Sequence, residues 1–242
     1  MTSDAGSTSI LSVTGLTAGY GQSQILTDVT FGLAAGDAVC LLGRNGVGKT
    51  TLVKSVVGLI KPREGQIAID GTDVTGSPPH RRARMGLGYV PQGRGIFGHL
   101  SVFENLLMGF ESRTSRAADR AETIEELYGL FPVLAEMRHR IAGTLSGGQL
   151  QQLAIARSLA GRPRILILDE PTEGIQPSIV DHIESVLVRL REQGLTILLV
   201  EQFLDFAVGV CDRFHMLERG VIVASGATED LTDAMVDEFL AV

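Results

Sequence analysis

The sequence predicts an α/β fold with a mixed β core and one inserted helical subdomain, on three observations. Short apolar runs rich in β-branched residues alternate with helical patterns, as βα units around a partly parallel sheet do. A glycine-rich turn, Gly43–Thr50, stands between a strand-like and a helix-like run. The segment from Gln92 to about Ala142 is polar, charged and helical in pattern, unlike the apolar runs on either side of it.

Taken in order, Asp37–Leu42 reads as a buried strand that turns through glycines into a helix running to Val57 and closed by Gly58. Gln66–Asp70 alternates, as an edge or antiparallel strand does, and Leu87–Val90 is a short strand stopped by Pro91. Ser101 followed by Glu104 is a capping box opening a helix with Val102, Leu106 and Leu107. Arg113–Arg120 reads as an exposed loop, and Glu122–Leu130 resumes an amphipathic helix. Arg164–Leu168 is again a buried strand. Pro177–Gln193 is a helix with Ile179, Ile183, Val186, Leu187 and Leu190 on one face and Gly194 as its stop. Thr196–Val200 is the next strand, and Arg213–Ala224 a hairpin turning at Arg219–Gly220. Thr228–Val242 reads as a short acidic helical tail.

A chain of 242 residues, 44% hydrophobic, can bury the core of one such domain. Its 28 acidic against 21 basic residues give a net charge of −7, which argues against a nucleic-acid partner. Cys40 and Cys211 lie far apart in apolar surroundings and read as reduced, buried thiols. The first nine residues are small and polar, with no signal-peptide pattern, and are expected to be flexible. The longest apolar runs, such as Ile165–Leu168 and Thr196–Val200, have the length of strands, far short of the roughly 20 residues of a membrane span. Any service to a membrane would be by docking to another subunit.

Gly43, Arg44, Asn45, Gly46, Val47, Gly48, Lys49 and Thr50 fit the pattern G-x-x-x-x-G-K-[ST] between strand and helix. Glycines at these positions let successive backbone N–H groups turn inward onto phosphate oxygens, and the helix that follows aims its positive end at the same anion. Lys49 adds a mobile charge for the β/γ-phosphates, Thr50 offers its hydroxyl to Mg²⁺, and Thr51 completes the nucleotide-binding set. Asp169 and Glu170 end the strand Ile165–Leu168. Alone, such a pair is an ordinary solvated turn; with the phosphate loop upstream, Asp169 is expected to hold Mg²⁺ and Glu170 to orient the attacking water.

Leu145–Ser146–Gly147–Gly148–Gln149 reads first as a capped helix start running to Ala160, with Gly161 closing it. The same five residues resemble the signature of ABC (ATP-binding cassette) ATPases, and the resemblance extends from about Leu11 to Leu231. It implies one ABC ATPase domain over about 10–242, with the core at about 10–91 and 143–242 and the helical subdomain at about 92–142. By the same resemblance, Ser146, Gly147, Gly148 and Gln149 bind the γ-phosphate of ATP held by a second ATPase subunit, a homodimer mate or a paralogue. Tyr20 matches the aromatic stacked on adenine, and Gln92 the glutamine that touches Mg²⁺ and water. Gly93–Phe97 looks like the contact with a transmembrane permease subunit, although Ile96 and Phe97 also suit a core.

The chain departs from the family pattern twice. Gln202 stands where a histidine usually meets the γ-phosphate, and Gln176 where an aspartate usually crosses the dimer; Gln202 can hydrogen-bond phosphate but cannot carry a proton. A glutamine at the first position recurs in ATPases of branched-chain amino acid and amide importers. Thr172–Ser178 and Glu201–Ala207 look closest to the ATPase subunit of urea importers. The implied setting is the cytoplasmic face of a membrane, with permease subunits and, indirectly, an extracellular or periplasmic solute-binding protein. A branched-chain amino acid importer is the alternative within the class. A soluble ABC ATPase of repair or translation would carry a coiled-coil insertion or a second cassette, which this sequence lacks. A non-catalytic nucleotide-binding subunit would not need Lys49, Asp169, Glu170 and the signature together.

Overall fold

Two kinds of strand in the chain build two sheets. The computed structural model describes residues 9–112 and 116–239. β1 (Ser9–Tyr20) and β2 (Ser23–Ala34) form a long antiparallel hairpin with one buried side, Leu11, Val13 and Leu16 on β1 facing Leu26, Val29 and Leu33 on β2. β4 (Glu64–Ile69) lies antiparallel to β1 and carries the two-residue strand β5 (Thr72–Asp73), giving the order β2-β1-β4-β5. The expected alternation at 66–70 is therefore an antiparallel strand, and not an edge.

The second sheet holds β3 (Ala38–Leu42), β6 (Leu87–Val90), β7 (Ile165–Asp169), β8 (Thr196–Glu201), β9 (Arg213–Glu218) and β10 (Val221–Ala227), in the order β10-β9-β3-β8-β7-β6. All neighbours are parallel except β10, which returns antiparallel through Arg219 and Gly220, both at positive φ. Its central strands are apolar on both faces because both faces are covered. Cys40, Leu42, Leu166, Leu168, Ile197 and Leu199 face one core, and Val39, Leu41, Ile165, Ile167, Leu198 and Val200 the other.

The second of these cores is closed by the hairpin sheet and α1 (Lys49–Val57), the first by the remaining long helices. The short α2 (Pro79–Arg84) leads into β6. α3 (Val102–Met108) opens on the expected capping box, with both reciprocal bonds of Ser101 and Glu104 formed. α4 (Ala117–Leu130) begins earlier than the sequence reading: residues 117–120, assigned to a loop, are helical, because Asp119 accepts the Arg116 amide and caps the first turn. α5 (Pro132–Glu136), α6 (Gly147–Ala160), α7 (Pro177–Glu192), α8 (Leu204–Val210) and α9 (Asp233–Phe239) complete the chain. Gly161 keeps a right-handed φ, so the chain turns after α6 at Arg162 (φ 46°) instead. The expected flexible start lies outside the described residues except for Ser9, which opens β1, and residues 113–115 of the expected loop lie outside them too. Cys40 and Cys211 are free and buried, as expected.

Candidate functional site

β3, β7 and β8 end on the same side of the sheet, and the loops that follow them meet there. After Leu42 the backbone enters φ values open only to glycine: 151° at Gly43, 81° at Gly46 and 115° at Gly48. A side chain on Gly43 would strike the Leu217 carbonyl. Gly48 caps α1 without a side-chain bond, so the first amides of that helix stay available to an anion. Val47 is turned toward the hairpin core and contributes its carbonyl to the Gly220 amide.

A cleft of about 250 Å³ opens over this loop. It is lined by Tyr20, Ile25, Arg44, Asn45, Gly46, Gly48, Lys49, Thr50, Thr51, Gln92 and Glu170. Lys49 is 4% exposed; its Nζ donates to the carbonyls of Gly43 at 2.6 Å and Arg44 at 3.2 Å and pairs with Glu170 at 3.5 Å. Burial holds the Lys49 ammonium below its usual pKa, with Glu170 opposing. Tyr20 stands 49% exposed at the cleft's rim, open to a stacking partner. A larger cavity of about 770 Å³ lies at the other ends of the strands, around Thr123, Leu127 and Leu195, and contains none of the predicted site residues.

Glu170 has φ 50°, a left-handed conformation that costs a non-glycine residue on the order of 1 kcal/mol or more. Its carboxylate accepts a hydrogen bond from Gln92 Nε2 at 2.9 Å, and the same amide also donates to Glu173 at 3.1 Å. Asp169 is buried, and burial first, then the neighbouring Glu170, push its pKa up to about 6. Its Oδ2 meets the Tyr89 hydroxyl at 3.5 Å, whereas its Oδ1 is buried with no hydrogen-bond partner. Burial and Asp169 in turn raise the Tyr89 phenol.

Ser146, Gly147, Gly148 and Gln149 do not line the cleft. Ser146 Oγ accepts the Gln149 amide at 3.3 Å while Gln149 Oε1 accepts the Ser146 amide at 2.9 Å, so the expected capping box forms. Gly148 is packed so tightly on Ile179 that a Cβ would collide with its side chain. Gln202 is exposed just beyond β8 and is also absent from the cleft lining. Ile96 packs against the core, whereas Phe97 is 39% exposed beneath the Arg157 guanidinium.

The family described as ABC transporter matches residues 26–173, which include the phosphate loop, the signature helix and the Asp169–Glu170 pair. The chain belongs to the ABC transporter family. It is similar to the lipopolysaccharide export system ATP-binding protein LptB of Haemophilus influenzae, 37% identical over 92% of each chain. It is also similar to the high-affinity branched-chain amino acid transport ATP-binding protein BraG of Pseudomonas aeruginosa, 39% identical over 84% of this chain and 87% of that one. The ADP conformation of the ATP-binding cassette MJ1267 superposes with a TM-score of 0.79 at 26% identity, covering 95% of each chain.

This ABC chain is therefore a nucleotide-binding ATPase subunit of a transporter, of the kind that dimerises and works with transmembrane permease components. Among the described residues no helix is long and apolar enough to cross a membrane. The residues fit a magnesium ion: Asp169 presents a buried oxygen without a partner, and the Thr50 side chain lies against the same carboxyl. Among the described residues no three carboxylate, histidine or cysteine side chains gather at one point, so such an ion would share its shell with phosphates and water.

Sequence reasoning missed Tyr89, Glu173 and Glu201. Tyr89 reaches Asp169 only because β6 pairs with β7. Glu201 did carry a signal, being the single charge at the end of the apolar run Ile197–Val200.

Proposed function

We propose that this ABC ATPase is the motor of an importer for a small polar solute, urea in its narrowest form, working at the cytoplasmic face of a membrane. In this reading ATP enters the cleft over the phosphate loop, with its adenine on Tyr20. The α1 amides and Lys49 bind its phosphates, with Arg44, Asn45 and Thr51 along the walls. Asp169, Thr50 and Gln92 would hold Mg²⁺, whose chemistry there is to neutralise charge on the outer phosphates. Glu170 orients the attacking water and takes its proton, and Gln202 steadies the γ-phosphate. Ser146 to Gln149 of a second copy, or of a paralogue, complete the site from the other side. The helical region 92–142 then passes the closure to the permease, with Phe97 and its neighbours in contact, and a solute-binding protein delivers the solute from outside.

The observation that supports the reading is the convergence of Lys49, Glu170 and Gln92 on one cleft over a helix start that no side chain caps. The preference for urea draws on the resemblance of Thr172–Ser178 and Glu201–Ala207 to urea-importer ATPases. A second reading, import of branched-chain amino acids, is favoured by the similarity to BraG, and a third, lipopolysaccharide export, by that to LptB. Uptake of labelled urea and labelled leucine in cells with and without the gene separates them. Loss of urea uptake alone is the expected result. Loss of leucine uptake with urea intact favours the second reading, and normal uptake of both with failed lipopolysaccharide delivery favours the third.

A further inference from the structure

Glu201 is 1% exposed, and both of its oxygens are fully engaged. Its Oε1 accepts the Thr172 hydroxyl at 2.6 Å and the Thr172 amide at 3.1 Å. Its Oε2 accepts the amides of Gln202 at 3.0 Å and Phe203 at 3.4 Å. One oxygen thus serves the loop after β7 and the other the loop after β8. With backbone N–H groups pointing at both oxygens, only a carboxylate satisfies every donor; an amide would turn an N–H₂ onto an N–H. Burial holds the pKa of this carboxyl above its usual value, and the bonds from Thr172 and the two amides oppose that rise and favour the charged form.

A buried carboxylate is costly to keep, and this one does not line the nucleotide cleft. What it does hold is the geometry on either side. Thr172 lies two residues beyond Glu170, whose left-handed φ persists only where its surroundings over-determine it. The Glu170 amide is bonded to the Val200 carbonyl at 2.9 Å, so β8 grips this loop twice, once through its backbone and once through Glu201.

We infer that Glu201 is a positioning residue for hydrolysis, tying the Gln202 loop to the loop that carries Glu170 so that the two move as one, with Thr172 as its receiving contact. The inference rests on the proposed role of Glu170. It supplies a route by which a phosphate bound at Gln202 would be felt at Glu170, through Glu201 and Thr172.

The test uses the full chain carrying Glu201→Gln, Thr172→Val, Thr172→Ser, the Glu201→Gln/Thr172→Val pair, or Glu170→Gln, with steady-state ATP turnover as the readout. Glu201→Gln and Thr172→Val are each expected to lower kcat at least ten-fold with KM within two-fold of the parent. Thr172→Ser, which keeps the hydroxyl, should recover kcat to within two-fold, and the double variant should fall no lower than the worse single one. Thr172→Val exchanges one buried hydroxyl for a methyl of nearly the same size and gives a reading even where Glu201→Gln does not fold. A parental kcat in Thr172→Val, or a double variant in which the losses multiply, overturns the inference. If Glu170→Gln is inactive while Thr172→Val and Glu201→Gln keep their kcat, the coupling alone fails. If Glu170→Gln turns over normally, the underlying reading of Glu170 fails with it.

Discussion

Lys49 Nζ stands 3.5 Å from Glu170 Oε1, joining the start of α1 to the end of β7 across the floor of the cleft. Glu170 is the first of the groups that keep the buried ammonium charged. Two carbonyls take further Lys49 donors, so the side chain is fully engaged. In the proposed reading, a triphosphate entering the cleft would exchange these partners for its own oxygens and leave Glu170 free to face water.

Lys49→Ala should therefore weaken nucleotide binding. Losing charge-assisted bonds costs about 1.5–3 kcal/mol, or roughly ten- to hundred-fold in affinity. Titration with a fluorescent ATP analogue measures this, and parental affinity would contradict the assignment.

Glu170→Gln should behave in the opposite way. The amide keeps the size of the side chain and can still meet Gln92, so nucleotide affinity is expected within a few-fold of the parent. Without the basic carboxylate, turnover should fall by roughly 10²–10⁴-fold. Gel filtration with ATP should then show a persistent dimer, and turnover at the parental rate would remove Glu170 from its role.

Arg82 is 1% exposed and donates to the carbonyls of Ser55, Val56, Thr75 and Ser77, which closes the C-terminal end of the phosphate-loop helix. Arg82→Met removes every one of these donors, leaves the buried Val56 carbonyl without its guanidinium partner and leaves Ser55 with the Gly58 amide alone. A loss of about 3 kcal/mol or more is expected. Urea denaturation reads it directly, and an unchanged midpoint would show that water replaces the guanidinium.

His215 is buried beside Phe31, with Nδ1 on Ser225 at 2.7 Å and Nε2 without a partner. Burial, then Arg213, lowers its pKa from 6.5 to about 4. A depressed histidine contributes stability that is complete above pH 6.5 and lost as pH falls toward 4, by about 3 kcal/mol in all. Asp169, raised to about 6, has the opposite sign between pH 6 and 4, so the informative quantity is the difference between parent and His215→Gln. Denaturation at pH 7, 5.5 and 4.5 should show the parent losing stability faster than the variant; parallel curves would exclude the buried imidazole as the cause.

The parallel strands were legible because both faces are covered and their residues are apolar without interruption, as in Ile165–Leu168. β1 and β2 were not read, although they are the longest strands. Their register shifts between Val13 and Leu16 and again between Leu16 and Ala18, which breaks the period-two alternation that marks a strand. At the site, Gly43–Thr50 and Asp169–Glu170 were legible because each group is contiguous in sequence. Tyr89 and Glu201 act across strand pairings, and no local spacing encodes which strands lie side by side.

Gln202 gives a prediction of gain. Its amide is held by Glu201 while its side chain is exposed, so a different side chain there should leave the core untouched. By resemblance to the family, a histidine at this position contacts the γ-phosphate, and as a cation it would add a charge that glutamine lacks. Gln202→His is expected to raise kcat several-fold with KM nearly constant. It should also bring in a new dependence on pH near 6.5, the ordinary histidine value. Both are read from turnover between pH 5.5 and 8.5. A variant that is folded, binds ATP and yet turns over no faster at any pH would show that glutamine already makes the contact this site uses.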